Sequence, residues 1–144
     1  MLLERRLAVI HRDELPQVGR EISHRRSQGR GRTGGRKDDA WFTECADELA
    51  RCLFDARTCA EACERFLATD AARLDDVRTL APPAAVSRVL IELLDHPPQL
   101  VLAAVRLCRE LTASAADDVG APEDVLTALR AVAASSADLL EACG

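Results

Sequence analysis

Apolar positions between Thr43 and Gly144 recur three and four residues apart, the spacing that places them on one face of an α-helix. The run ECADELARCLFDARTCAEACERFLA has no Gly or Pro and predicts one long helix ending near Thr69–Asp70. Thr43 is its expected N-cap. Glu44, Asp47 and Glu48 follow in the first turn, where the helix dipole favours acids. AARLDDVRTL is weaker and reads as a short helix stopped before Pro82-Pro83. PPAAVSRVLIELLDH opens with prolines suited to a first helical turn and predicts a second long helix. QLVLAAVRLCRELTASAADDVG predicts a third, closed by Gly120. PEDVLTALRAVAASSADLLEACG predicts a fourth. Short links make neighbouring helices antiparallel, so residues 41–144 are expected to form an all-α, antiparallel four-helix bundle.

Residues 1–40 break this pattern and are expected to be a separate, largely disordered basic extension. Residues 1–15 could place Leu2, Leu3, Leu7 and Ile10 on a short amphipathic helix ended by Pro16. The stretch REISHRRSQGRGRTGGRK carries seven basic residues and four glycines with almost nothing apolar. Such a segment cannot bury enough surface to offset its ordering entropy. Charge separates the two parts as well. Residues 1–40 hold ten basic against six acidic side chains, and residues 41–144 hold nine against 18. The basic segment would suit nucleic acid or an acidic partner, but no aromatic residue interleaves its arginines for base stacking, which favours a solvated tail.

Composition supports helices over sheet. Hydrophobic residues make up 48% of the chain and aromatic ones 3%, so Ala and Leu must fill the core. No apolar run approaches the roughly 18 residues of a membrane span, and the first residues lack a signal-peptide layout. A cytosolic protein is expected, with its six cysteines as reduced thiols.

Those cysteines carry the candidate chemistry. At about 100° per residue, Cys45, Cys52, Cys59 and Cys63 fall within roughly 40° of arc on the first helix. Leu49, Ala56 and Ala60 flank them, so the thiols are expected to face the core. Cys108 lies among inward positions of the third helix. Cys143 ends the fourth, and could approach Cys45 if those helices are neighbours. Soft thiolates select Cu(I), Zn(II) or iron–sulfur clusters over harder ions. Cu(I) is satisfied by two or three sulfurs, and Cys59 and Cys63 form an i, i+4 pair on one face. The C-x-x-C spacing usual for zinc and the iron–sulfur signatures are absent. His11, His24 and His96 lie in the tail or beside prolines. Free cysteines are also ordinary core residues, and small-residue packing alone could produce such a stripe.

At Cys59-Ala-Glu-Ala-Cys63, preceded by Cys45 and Cys52 at seven-residue steps, the sequence resembles the cysteine-rich four-helix-bundle copper-binding family. These are the copper storage proteins, sometimes labelled ferredoxin-like. The resemblance covers about residues 43–143 and is best in the first helix. It implies an antiparallel bundle holding Cu(I) through inward thiolates, with Cys45, Cys52, Cys59, Cys63, Cys108 and Cys143 as candidate metal ligands. The chain departs from that pattern on the other helices. The second has no cysteine, with Val77, Leu80, Ser87 and Leu90 where thiols would be expected. Six cysteines imply few ions, not bulk storage.

Two other functions fit the same residues. One is a non-metal helical interaction or scaffold module working through partners, as a homo-oligomer for example. The other is a thiol redox sensor, disfavoured because buried thiols in apolar surroundings react slowly. An enzyme is not expected: H-E-x-x-H, P-loop, G-x-S-x-G and inward Glu-x-x-His signatures are all missing.

Overall fold

A computed structural model describes residues 36–117 and 120–144. The expected amphipathic helix over residues 1–15 and the basic segment up to residue 35 lie outside the described residues. Every described element is helical. They are α1 (Arg36–Glu44), α2 (Ala46–Leu67), α3 (Leu74–Glu92), a 3₁₀ turn (Leu93–Asp95), α4 (Pro98–Ala115) and α5 (Glu123–Cys143). No helix among the described residues is long and apolar enough to cross a membrane.

Among the described residues, helix is already present from Arg36, ahead of the expected start near Trp41. Asp38 and Asp39 occupy the first turn of α1, where the helix dipole favours acids. Thr43 is therefore not an N-cap. It sits inside α1, and its hydroxyl donates to the Asp39 carbonyl at 2.9 Å. The break between α1 and α2 falls at Cys45, whose φ of −102° and ψ of 12° interrupt the helical path. Phe42 anchors α1 by burying its whole side chain in the same core cluster as Leu49, Leu90 and Val101.

The sharpest departure from the sequence reading is at Pro82 and Pro83. The expected short helix and the expected second helix are one helix, α3, which runs through both prolines. Each proline removes a backbone donor and crowds the carbonyl four residues back, at a cost of about 3 kcal/mol in a helix interior. Packing on both sides holds the helix together. Leu80 and Leu90, on either side of the prolines, are fully buried, and Pro83 is itself buried. The start is secured locally: the Arg73 amide donates to the Asp76 carboxylate at 2.8 Å. The α-helix ends at Glu92, short of the expected His96, and closes through the 3₁₀ turn, where Pro97 holds His96 extended at φ −103° and ψ 164°.

The helices α2, α3, α4 and α5 each pack against two of the others: α2 on α3 and α5, and α4 on α3 and α5. Specific contacts set their levels. Cys52 on α2 meets Ser136 on α5, and Ser87 on α3 meets Cys108 on α4. Glu64 on α2 accepts from the Arg88 guanidinium on α3 at 3.0 Å. Around these contacts the core forms two apolar groups. One gathers Phe42, Leu49, Leu53, Leu94 and Leu139; the other gathers Leu80, Val125, Leu129 and Val132 around Cys59, Cys63 and Cys108.

Candidate thiol site

The long, unbroken α2 delivers the stripe as its spacing predicts. Cys52, Cys59 and Cys63 are completely buried, as are Leu49 and Ala56 beside them. Cys108 on α4 is also completely buried. The six cysteines nevertheless fall into three separate arrangements.

The first is a disulfide between Cys45 and Cys143, with Cα atoms 6.2 Å apart. The expectation of six reduced thiols fails here. Cys45 lies at the junction of α1 and α2, and Cys143 is the last residue of α5, so the packing of α2 against α5 brings them together. Trp41 covers the same corner. Its indole Nε1 donates to the Cys143 carbonyl at 2.8 Å, and its ring meets Phe42 edge-on at a centroid distance of 4.8 Å.

The second arrangement is a layer of small polar side chains drawn from all four long helices. Cys52 Sγ lies 3.5 Å from Ser136 Oγ, and Cys108 Sγ lies 3.7 Å from Ser87 Oγ. Ser87 spends its only proton on the Pro83 carbonyl at 2.7 Å, so its oxygen accepts from the Cys108 thiol. Burial pushes the Cys52 thiol up to about 12, partly offset by the Ser136 hydroxyl, with further upward pressure from Cys108 and Asp55. Burial is the main influence on Cys108 and likewise raises it. Both thiols are held protonated.

The third is the Cys59–Cys63 pair, one helical turn apart on α2. The two thiols are hydrogen-bonded to each other. That bond, reinforced by burial and the nearby Cys63 and Cys108 sulfurs, drives Cys59 upward. The same bond lowers Cys63 against the effects of burial, Glu64 and Asp124.

Among the described residues, no three His, Cys, Asp or Glu side chains converge as a metal-binding group. The six candidate ligands therefore do not form one centre. Ser87 and Ser136 are the members that a search for cysteines alone misses. Their signal in the sequence is a polar residue at an inward, fully buried position of an otherwise apolar helix face. Glu64 on the rim is held below the usual carboxylate range, chiefly by its hydrogen bond from Arg88.

No family model, curated protein or solved structure matches this chain.

Proposed function

We propose that the protein binds Cu(I), few ions per chain, with Cys59 and Cys63 as the principal ligands. The observation that supports this reading is the pair of thiols one turn apart on α2, both completely buried and so closed off from water. Two sulfurs suffice for Cu(I), whereas zinc requires four converging donors. No third ligand is needed, although Cys108 lies in the same core cluster as the pair. Cys52 and Cys108 are secondary candidates, each held by a serine hydroxyl. In this reading the four long helices act as an antiparallel four-helix bundle whose role is to exclude water and harder ligands. Loading the pair displaces thiol protons, so affinity should rise with pH.

Anaerobic Cu(I) titration against a chromophoric chelator tests this. The wild-type chain is expected to compete for on the order of one ion. The double variant Cys59→Ser with Cys63→Ser should lose that binding. Undiminished competition by the double variant would rule the site out. A cytosolic setting, which would keep the pair reduced, belongs to this proposal, and the Cys45–Cys143 disulfide bears against it unless that bond is reversible.

A second reading, a helical interaction module, is favoured by three exposed apolar side chains. Val89 on α3 and Leu100 and Leu107 on α4 are each about half exposed. Two of them, Leu100 and Leu107, share one face of α4 at seven-residue spacing. If they form a contact between copies, sedimentation should show a concentration-dependent dimer that Leu100→Glu with Leu107→Glu abolishes. A monomer at every concentration would dismiss this reading.

A further inference from the structure

Cys45 and Cys143 are joined, but the two sulfurs differ in access. Cys45 is only 2% exposed, walled by Phe42, Leu49 and neighbouring core residues. Cys143 is half-buried at the last turn of α5. Thiol–disulfide exchange needs an attacking thiolate to reach one sulfur in line with the bond, so access decides which sulfur is attacked. The remaining four cysteines are fully buried and take no part in the bond.

We propose that Cys143 is a site of reversible S-thiolation by a small thiol, and that the Cys45–Cys143 disulfide is the latch this reaction opens. An external thiolate attacks Cys143 Sγ. The Cys45–Cys143 bond breaks, and its electron pair leaves on Cys45, which takes a proton from water. Cys143 is then in mixed disulfide with the small thiol. A second thiol molecule attacks that adduct at the small-molecule sulfur, frees Cys143, and departs as the oxidised dimer of the small thiol. Two thiols have been oxidised and one protein disulfide reduced. In the reverse direction Cys45 attacks the adduct and expels the small thiol.

The latch ties together the two chain segments that close this end of the core. Once it opens, the tie between Trp41 and Cys143 is reduced to one indole hydrogen bond. Trp41 is the single tryptophan of the chain and sits at that corner. Its emission therefore reports the latch directly, because a neighbouring disulfide quenches indole. The inference does not depend on copper binding, since neither Cys45 nor Cys143 belongs to the Cys59–Cys63 pair.

The test uses the full chain, oxidised and then exposed briefly to limiting glutathione, quenched with N-ethylmaleimide and mapped by mass spectrometry. Tryptic segments 38–51 and 131–144 separate Cys45 from Cys143 and from every other cysteine. These two segments should be cross-linked before treatment. Afterwards glutathione should appear on Cys143 in on the order of tenfold excess over Cys45. Trp41 emission should rise over the same time course. Equal or greater labelling of Cys45 would overturn the proposal, as would an oxidised protein in which the two segments are never linked. Opening of the bond with unchanged Trp41 emission would overturn the latch.

Discussion

Replacing Cys143 with serine is expected to lower the unfolding free energy of the oxidised protein by about 4 kcal/mol. The disulfide joins residues 98 apart. A cross-link of that span removes much of the conformational entropy of the unfolded chain, worth about 4–5 kcal/mol in the loop-closure account. Cys143 is the better partner to change. It is half-buried, so serine there loses little packing, whereas a serine at fully enclosed Cys45 would also bury a hydroxyl. Denaturant unfolding of both chains checks this, with and without a reductant. Reductant should bring the wild type down to the variant and leave the variant unchanged. A gap that persists under reduction would assign the loss to packing instead of the cross-link.

The same bond shows where the sequence was legible and where it was not. The sequence allowed Cys143 to approach Cys45 only if the last helix neighboured the first, and left that pairing open. Oxidation could not be read, because it depends on two sulfurs meeting at a corner built by Trp41 and Phe42. The hydrophobic pattern makes those residues the border of order, yet they lie inside α1, which spans Arg36–Glu44. Local signals misled at Thr43 as well. A threonine followed by acids is a helix start by composition, yet its hydroxyl bonds back to Asp39 inside α1. At Pro82-Pro83 propensity was overruled by packing: buried residues on both sides of the pair keep the helix whole.

The stripe itself was legible because 3.6-residue periodicity is a property of one helix. Its division into a disulfide, a serine-bound layer and a hydrogen-bonded pair was not. That division depends on which side chains the other three helices bring to each level. Ser87 and Ser136 stand at inward positions where the copper-binding resemblance would place thiols. Each has a cysteine across from it. A serine hydroxyl can satisfy a buried thiol where a leucine would only exclude it, so these positions keep the layer polar without supplying a metal ligand.

That polar layer makes stability sensitive to alkali. Cys52 has its pKa pushed up from 9.0 to about 12, mainly by burial. Below pH 9 the thiol is protonated in both folded and unfolded chains, and its contribution is fully present. Above pH 9 the unfolded chain releases a proton that the folded chain keeps, so stability falls with rising pH until about pH 12. The loss should reach about 2 kcal/mol midway through that window and about 4 kcal/mol at its end, at roughly 1.4 kcal/mol per unit. Cys59 and Cys108 are raised too and act in the same direction, while the lowered Cys63 opposes them. Denaturant unfolding at intervals from pH 8 to 11, with the disulfide intact, measures the slope. Cys52→Ala should be visibly less pH-dependent than the wild type, although less stable at neutral pH. Parallel slopes for the two chains would mean that Cys52 ionises as readily inside the fold as outside it. A thiol that free to ionise would have to reach water, and the enclosed layer joining Cys52 to Ser136 would not exist.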